Sequence, residues 1–363
     1  MHSRIDPIVR EDIGAVLNAC GEQLAQLHGK TLLLTGASGF VGSYLLETLI
    51  ALNAAGNGNA PCRVLCPTRS LAGTQAKWPH FFGVPDIEWF EWAGGALSPD
   101  LGGCDFLIHA ASPSDPAQYL DYAYEAMLEM VSATRHVLDF ARHSAVRRVL
   151  YLSSGAVYGT QPATLAALPE SYSGAPDLRD PRSCYGEAKR YCELLCRVSG
   201  VPSVIGRLFS FIGPYQDLSA SFAAPDFIRQ ACTQGHIRIR GDGSALRTYC
   251  YASDLTIALW KLLFNGAVGE AYNVGQGEPP ISIRELASVV ARVVGQTEIT
   301  VEGREPAQSG ARMRYVPDIA KLVPLYRPNM ALEDAVARTV TSLYQQHKIP
   351  APPNIPCNVE LEA

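Results

Sequence analysis

Residues 30–207 alternate between short apolar runs and longer segments in which apolar side chains recur at helical spacing. The short runs predict β-strands and the longer segments predict α-helices. The predicted strands are Thr31–Thr35, Arg63–Cys66, Asp105–His109, Arg148–Ser153 and Ser203–Leu208, and the predicted helices lie near 40–54, 117–143 and 184–199. Regular alternation of strand and helix favours a parallel sheet with helices on both faces. The predicted fold class is therefore α/β, with a doubly wound parallel sheet.

The flanking segments have different patterns. Residues 7–28 have helical apolar spacing and end at a glycine, so residues 1–29 are predicted to form a helical extension ahead of the main domain over 30–207. Shorter elements and many turn residues predict a smaller C-terminal lobe over 208–349, with some segments returning to the first domain. Residues 350–363 are rich in proline and predict a flexible tail.

Composition and charge exclude several classes of protein. The 363 residues are 47% hydrophobic and 18% charged, which excludes a disordered chain or a coiled coil. Thirty basic against 35 acidic residues give a formal charge of -5, so we expect no nucleic-acid partner. No apolar stretch approaches the roughly 20 residues that cross a bilayer, and the N-terminal segment lacks a secretory pattern. We therefore expect a cytoplasmic protein without a membrane span.

The ten cysteines are scattered along the chain. Two pairs, Cys62 with Cys66 and Cys192 with Cys196, have a spacing of four, but neither has a second pair of ligands at the spacing of a zinc site. We expect reduced and mostly buried thiols, and no metal.

A glycine-rich loop follows the first predicted strand. Thr31–Thr35 runs directly into Gly36, Gly39 and Gly42, after which a helix is predicted. Such glycines let the backbone turn tightly and approach a pyrophosphate, whose charge is held by N–H groups at the helix N-terminus. The strand and helix on either side favour this interpretation over an ordinary glycine turn. We predict a dinucleotide-binding Rossmann domain with contacts from Gly36, Ser38, Gly39, Phe40, Val41 and Gly42.

The end of the second strand bears on the choice of cofactor. An acidic residue there accepts a hydrogen bond from the ribose 2′-hydroxyl of NAD, but residues 63–70 contain no acid. Two interpretations of Arg69 are open. It either binds the 2′-phosphate of NADP or is a charged loop residue that only contacts solvent. The cofactor prediction is therefore NAD or NADP.

Two further patterns predict catalytic chemistry. Tyr185 and Lys189 are four residues apart, so they lie one turn apart on one helix face. An ammonium group near a phenol stabilises the phenolate, which brings its pKa toward the range useful for proton transfer. Ser153 and Ser154 end a predicted central strand, at the sheet edge where open α/β folds bind ligands. Each pattern alone is common, because many helices contain a tyrosine and a lysine four residues apart and many turns contain serine. The ordered combination of glycine loop, strand-end serine and tyrosine–lysine pair is much more specific.

On these residues the sequence resembles the extended short-chain dehydrogenase/reductases, a family of nucleotide-sugar epimerases, dehydratases and decarboxylases. The resemblance covers residues 30–345. The matching motifs are Thr35–Gly42, Asp105–Ala111, Ser153–Gly159, Tyr185 with Lys189, Arg207–Pro214, Gly241–Arg247 and Tyr251–Asp254.

The resemblance implies roles for particular residues. Ser154 is expected to bind the reacting sugar oxygen, Tyr185 to act as acid and base, and Lys189 to tune Tyr185 and hold the nicotinamide ribose. Arg247 is expected to meet the substrate diphosphate, although it has the alternative of a surface arginine beside a glycine turn. The C-terminal lobe is expected to bind substrate. The remaining expected contacts are His109, Ala110, Ala111, Ser153 and also Tyr185 for the cofactor, and Ser112, Arg182 and Ser210 for the substrate.

Departures from the family motifs narrow the expected reaction. Ala111–Pro116 and Arg182–Arg190 resemble UDP-glucuronate decarboxylases. However, those enzymes place a glutamate at the position of Ala156, and 4,6-dehydratases place an aspartate and a glutamate at Gly155 and Ala156. Ser210 also stands where the family usually has asparagine.

We therefore expect an NAD(P)-dependent nucleotide-sugar epimerase that works through a transient keto sugar at C4. The alternatives are an NADPH-dependent 4-keto-sugar reductase, a nucleotide-uronate decarboxylase that uses a different acid, and a nucleotide-binding scaffold without turnover. The resemblance also implies a homodimer, paired through helices 117–143 and 184–199.

Overall fold

A seven-stranded sheet forms the centre of the fold in a computed structural model that describes residues 5–56, 58–98, 101–113, 120–304 and 313–350. Every pairing in this sheet is parallel, and the spatial order is β11-β6-β5-β4-β1-β2-β3. The order reverses at β1, which is where doubly wound sheets bind ligands. The predicted fold class is confirmed. The strands are β1 (Thr31–Thr35), β2 (Arg63–Thr68), β3 (Ile87–Glu91), β4 (Phe106–His109), β5 (Arg148–Ser154), β6 (Ser203–Leu208) and β11 (Ala271–Val274).

Helices cover both faces of this sheet because both faces are apolar. One buried apolar cluster joins the sheet to α1, α2 and α7, and a second joins it to α4 and α5. None of the described helices has the length and apolar character needed to cross a membrane. The helices around the sheet are α1 (Pro7–Leu24), α2 (Phe40–Ala55), α3 (Leu71–Lys77), α4 (Ala123–His143), α5 (Cys184–Val198) and α7 (Ala252–Asn265).

The smaller lobe follows β6 and has its own apolar core. Its helices are α6 (Ala223–Gln234), α8 (Ile283–Val294) and α9 (Leu332–Gln345). Its short strands form three small sheets. They are β8 (His236–Gly241) with β13 (Glu298–Arg304), β7 (Phe211–Ile212) with β10 (Cys250–Tyr251), and β9 (Leu246–Arg247) with β12 (Ile281–Ser282) and β14 (Arg314–Tyr315).

The structure differs from the predicted elements in a few places. Neither β3 nor β11 was predicted, because both are short edge strands whose apolar runs are weak. The helix predicted over 117–143 begins at Ala123, after a 3₁₀ turn at Leu120–Tyr122. Its predicted first residues, 117–119, lie outside the described residues.

The described cysteines are free thiols, and all but Cys232 are buried. Across the described ranges, His, Cys, Asp and Glu side chains form no group of three or more that could hold a metal ion.

Candidate active site

The loop between β1 and α2 requires glycine at two positions. Gly36 has a φ of +73°, and a Cβ on it would lie 2.7 Å from the backbone nitrogen of Ala111. A Cβ on Gly42 would lie 2.0 Å from the carbonyl oxygen of Gly36. At the N-cap of α2, Gly39 supplies no side-chain hydrogen bond, so the first N–H groups of the helix have no side-chain cap. This is the cradle that a dinucleotide pyrophosphate requires, and the predicted loop fits the cofactor.

Side chains from elsewhere in the fold support this loop. The carbonyl oxygen of Ser38 accepts hydrogen bonds from Trp78 Nε1 at 2.9 Å and from Lys77 Nζ at 3.2 Å. The Phe40 ring stacks on Phe211 with centroids 5.2 Å apart, while Val41 is half-buried beside it. The loop is therefore held by Lys77 and Trp78 on one side and by Phe211 on the other.

Arg69 lies exposed just beyond β2, next to the N-terminus of α3. Ser70 caps that helix, since its hydroxyl accepts a hydrogen bond from the Gly73 backbone N–H at 3.1 Å. The position is the one expected for a residue that meets the adenosine end of the cofactor.

The loop after β4 is held by a buried histidine. Thr134 donates its hydroxyl to the Met130 carbonyl, so it accepts from Nε2 of His109 at 3.1 Å. Nδ1 of His109 then accepts from the Thr35 hydroxyl at 2.7 Å, and Thr35 Oγ1 accepts from the Ala111 N–H. Burial, with a smaller effect of Lys189, lowers the pKa of His109 to about 3, so the ring stays neutral. The His109 side chain therefore supports the loop after β4 from the interior of the protein.

Three predicted residues lie on this loop. The Ala110 backbone N–H donates a hydrogen bond to the Thr35 carbonyl at 3.2 Å. The short side chains of Ala110 and Ala111 are half-buried at the sheet edge. Ser112 donates its hydroxyl to the Pro113 carbonyl at 3.1 Å. Residues 114–116, the rest of the predicted motif, lie outside the described residues.

Tyr185 and Lys189 lie one turn apart on α5, as predicted. The ammonium of Lys189 is buried and donates to the Leu152 carbonyl at 2.7 Å. It lies 4.9 Å from the ring centroid of Tyr151 and 5.9 Å from that of Tyr185. Burial lowers the pKa of Lys189 to about 8. A strongly perturbed ionisable group beside a phenol is typical of a catalytic site.

The half-buried Tyr185 ring faces a small cavity next to α4. The other lining residues are Pro113, Ala126, Met127, Met130 and Cys184. The Tyr185 ring, in the first turn of α5, therefore lies near Pro113 in the loop that follows β4 and near the first half of α4.

Ser154 is the last residue of β5 and is half-buried. Its hydroxyl accepts a hydrogen bond from the Ala156 N–H at 3.1 Å. The first turn of α5 packs closely on the same segment, since a Cβ on Gly186 would lie 2.8 Å from the Ala156 carbonyl oxygen. The structure thus brings the strand end with Ser154 against the helix that carries Tyr185 and Lys189.

The first of the two positions where relatives are expected to have a carboxylate, Gly155, has no room for a side chain in this chain. A Cβ on Gly155 would lie 2.6 Å from the Tyr315 hydroxyl and 2.7 Å from the Phe209 ring. Those two rings pack together with centroids 4.5 Å apart, and Ala156 is buried. A carboxylate at 155 would require both rings to move.

A buried polar network behind the site was not predicted from sequence. Ser153 donates its hydroxyl to Glu193 at 2.6 Å, and Glu193 accepts from Arg207 at 2.7 Å. Arg207 also donates to the Tyr158 hydroxyl, which donates to Asn273 Oδ1 at 2.7 Å. The Ser153 hydroxyl is thus used to join β5 to α5. The one signal in the sequence is the position of Glu193, which follows Lys189 by one helical turn.

The predicted substrate residues lie on separate elements. Arg182 is in the 3₁₀ turn before α5 and forms an ion pair with Asp180 at 2.8 Å. Ser210 follows β6, and its carbonyl accepts from the Cys250 N–H at 3.0 Å. Arg247 lies on β9, with its guanidinium carbon 5.9 Å from the ring centroid of Tyr315. Through Tyr315, Arg247 is connected to the strand end at Gly155.

Comparison with known proteins shows which family this chain is similar to. The sequence profile described as the NAD dependent epimerase/dehydratase family matches residues 32–275. The chain is 30% identical over 317 residues to UDP-glucuronic acid decarboxylase 1 of Arabidopsis thaliana, a match covering 85% of this chain and 69% of that one. It is 27% identical over 326 residues to UDP-glucuronic acid decarboxylase 1 of Xenopus tropicalis, covering 87% and 73%.

Solved structures share the fold at lower identity. A UDP-N-acetylglucosamine 4-epimerase from Methanobrevibacter ruminantium M1 superposes with a TM-score of 0.75 at 21% identity, covering 87% of this chain and 99% of that one. The dTDP-glucose 4,6-dehydratase DesIV from Streptomyces venezuelae, with NAD and TYD bound, gives a TM-score of 0.74 at 24% identity, covering 88% and 98%.

Proposed function

The chain belongs to the NAD dependent epimerase/dehydratase family, and from that premise we propose that it is a nucleotide-sugar 4-epimerase working through a transient keto sugar. One observation carries the proposal. The helix with Tyr185 and Lys189 packs against the strand end with Ser154, while the next two positions have neither a carboxylate nor space for one at Gly155. The site thus has the phenol, ammonium and hydroxyl groups for reversible oxidation of a sugar hydroxyl, and it lacks the carboxylic acid that dehydration or decarboxylation would need.

Three residues have different roles in the proposed proton transfer. Tyr185 removes the proton from the sugar hydroxyl as a phenolate, and Ser154 binds the same oxygen and keeps it oriented. Lys189 favours the phenolate by its charge. When bound, NAD or NADP would supply the hydride acceptor, and then the hydride donor, for the sugar carbon. When the keto sugar has turned over, Tyr185 gives its proton back to the opposite epimer. The glycine loop of Gly36, Gly39 and Gly42 would hold the pyrophosphate.

The residues at 155 and 156 disfavour the dehydration and the decarboxylation that some of the named proteins carry out. Elimination of water from C5 and C6 needs an acid and a base beyond the tyrosine. Tyr315 and Phe209 occupy the space for such a side chain at 155, and Ala156 supplies a methyl group where the decarboxylases have a glutamate. Decarboxylation would need a different acid.

A second candidate is a reductase that consumes NADPH and converts a 4-keto sugar once. The exposed Arg69, and the lack of an acid in residues 63–70, favour it because a 2′-phosphate needs a cation there. The nucleotide released on denaturation separates the two candidates. Stoichiometric bound NAD supports the epimerase, and an empty protein that takes up NADPH supports the reductase.

The test of the epimerase uses nucleotide hexoses and hexuronates in D₂O. We expect a product of unchanged mass with inverted C4, and no deuterium on carbon, because the hydride leaves and returns without exchange with solvent. Loss of 18 or 44 mass units would indicate dehydration or decarboxylation and would contradict the proposal, as would deuterium at C5.

We also propose that the protein is a homodimer. Apolar side chains are exposed on α4 and α5, which pack side by side. A paired apolar surface of this kind is typical of a protein interface. The exposed residues are Tyr124, Leu128, Tyr191, Leu194 and Val198.

A further inference from the structure

Glu193 is a buried carboxylate that lies one helical turn after Lys189 on α5. Its Oε1 accepts hydrogen bonds from the Ser153 hydroxyl at 2.6 Å and from Arg207 Nε at 3.0 Å, and its Oε2 accepts from Arg207 Nη2 at 2.7 Å. A buried ion pair pays a desolvation penalty, and well-packed apolar residues of similar volume often give equal or greater stability. The contacts of Glu193 with the candidate active site point to a role beyond stability.

The end of β5 is bonded to α5 at two adjacent residues. The Leu152 carbonyl accepts a hydrogen bond from Lys189 Nζ at 2.7 Å, and the Ser153 hydroxyl donates to Glu193. Because side chains alternate along a strand, Ser153 and Ser154 point to opposite faces of the sheet. The two bonds therefore hold the strand end on the face opposite Ser154, and they set the position of the Ser154 hydroxyl relative to α5.

Arg207 fixes the orientation of the Glu193 carboxylate. Its guanidinium also donates to the Tyr158 hydroxyl at 2.7 Å, and that hydroxyl donates to Asn273 Oδ1 at 2.7 Å. Arg207 is on β6 and Asn273 is on β11, so the hydrogen bonds continue from α5 to the two strands at that edge of the sheet. A carboxylate bound by two nitrogens of one arginine has a defined geometry. Glu193 is therefore a rigid acceptor for the Ser153 hydroxyl.

Glu193 also influences the charge of Lys189. Burial lowers the pKa of Lys189 to about 8, while three side chains further along α5, those of Cys192, Glu193 and Cys196, oppose this shift. Glu193 is the carboxylate among these three, and a negative charge favours a neighbouring ammonium group. The titratable groups around Lys189 are Tyr185, Cys192, Glu193 and Cys196 on α5, Tyr151 on β5 and His109 on β4.

We propose that Glu193 is a positioning residue for the candidate active site, an inference that rests on the proposed function. Through Ser153 it holds the strand end with Ser154 against α5, and by its charge it keeps Lys189 protonated beside Tyr185. Glu193 does not act on the sugar itself, because both of its oxygens are engaged by other side chains. It therefore does not replace the carboxylic acid that dehydration or decarboxylation would need.

The first experiment separates positioning from binding in the full-length protein. Ser153→Ala removes the hydrogen bond to Glu193 and leaves the carboxylate in place. For the best substrate among UDP-glucose, UDP-glucuronate and dTDP-glucose, we expect kcat to fall by about 10- to 100-fold, because small displacements of reacting groups have effects of this size. KM should change by less than about twofold, since the binding groups stay in place. Glu187→Gln is the control, because it removes a carboxylate of the same helix that pairs with Arg190.

The second experiment measures the protonation of Lys189 without any turnover. An isotopic label at lysine Cε gives an NMR signal for each lysine, and Lys189→Met assigns the signal of Lys189. We expect Glu193→Gln to lower the pKa of Lys189 by about one pH unit, since a neutral amide replaces a nearby buried carboxylate. Glu193→Asp keeps the charge on a shorter side chain, so it should lower kcat and leave the pKa of Lys189 near its wild-type value.

The outcomes separate this inference from the proposed function. Wild-type kcat in Ser153→Ala and Glu193→Gln, with only the melting temperature lowered, overturns the positioning role and leaves the epimerase proposal standing. An unchanged pKa of Lys189 in Glu193→Gln overturns the effect on charge. If the folded wild type converts none of the three nucleotide sugars, the proposed function fails, and the NMR titration still decides whether Glu193 acts on Lys189. Ser153→Ala keeps the ion pair of Glu193 with Arg207, so it tests the positioning role even if Glu193→Gln does not fold.

Discussion

Lys189 is a buried cation at the centre of the candidate site. Its ammonium group donates a hydrogen bond to the Leu152 carbonyl and lies over the Tyr151 ring. Burial opposes its charge and lowers its pKa to about 8, whereas an unfolded lysine titrates near 10.5. The unfolded chain thus binds more protons than the folded one between these two pH values, and the stability contributed by this group rises with pH there. Below pH 8 the charged group costs stability.

Replacing this cation should therefore stabilise the protein and inactivate it. We expect Lys189→Met to raise the free energy of unfolding at pH 7 by roughly 2 kcal/mol, after the lost hydrogen bond is counted. The difference from wild type should shrink as the pH rises from 8 toward 10.5. Urea unfolding at pH 7 and pH 10 measures it, and equal destabilisation at both values would contradict the assignment.

Tyr185 is expected to affect chemistry without affecting binding. Tyr185→Phe should reduce turnover by about 10²- to 10⁴-fold, the usual contribution of a general acid–base group, with cofactor affinity unchanged. Tyr191→Phe is the matched control, because it removes a phenol hydroxyl from the same helix and keeps the ring on the proposed dimer surface. Turnover numbers and cofactor titrations are the measurements. An unchanged rate for Tyr185→Phe would remove this phenol from the mechanism.

At the scale of elements, α1 joins the two parts of the fold through one buried carboxylate. Asp12 accepts hydrogen bonds from the hydroxyls of Tyr44 at 2.9 Å and Tyr251 at 2.8 Å, and from Arg338 at 2.8 Å. These partners lie on α2, β10 and α9. The N-terminal helix therefore links the helix that follows the glycine loop to the C-terminal lobe.

The two acidic residues on this helix should differ in their contribution to stability. Both Asp12 and Glu11 contact Arg338, but Asp12 is 2% exposed and the Glu11 side chain is 64% exposed. Asp12→Ala should lower the free energy of unfolding by about 3 kcal/mol, because it leaves buried partners unpaired. Glu11→Ala should cost less than about 1 kcal/mol. Chemical denaturation of both variants is the test, and equal costs would show that Asp12 has no special role in docking α1.

At the scale of the whole molecule, the paired helices α4 and α5 would connect the proposed dimer to the candidate active site. Their outer surface exposes Tyr124, Leu128, Leu194 and Val198, and their inner surface carries Tyr185 and Lys189. A partner subunit on the outer surface would bury this apolar area and hold α5 in place against β5.

A charge on this surface should prevent dimer formation. We expect the wild type to have the mass of two chains by light scattering and Leu194→Arg to have the mass of one, since an arginine would be buried without a partner. Leu178→Arg is the control, because Leu178 is 83% exposed and lies outside both helices. A monomeric wild type would contradict the proposed homodimer.

Local sequence patterns predicted most of the central sheet and the residues of the candidate site. The run from Thr31 to Gly42 specifies strand, turn and helix within one stretch of chain, since only glycine fits Gly36 and Gly42. Tyr185 and Lys189 share a helix face through spacing alone. Such features depend on neighbours in the sequence, so they can be predicted before the chain is folded.

Contacts between distant residues were decided only by the tertiary structure. Tyr315 and Phe209 close the space at Gly155, and the Ser153 hydroxyl is used by Glu193, although nothing in the local sequence around either position indicates this. His109 is turned into the interior by Thr35 and Thr134 for the same reason. These arrangements depend on how helices and strands pack together. The sequence by itself therefore determined the fold class and the candidate catalytic residues, and packing decided that the site has no room for a side chain at Gly155.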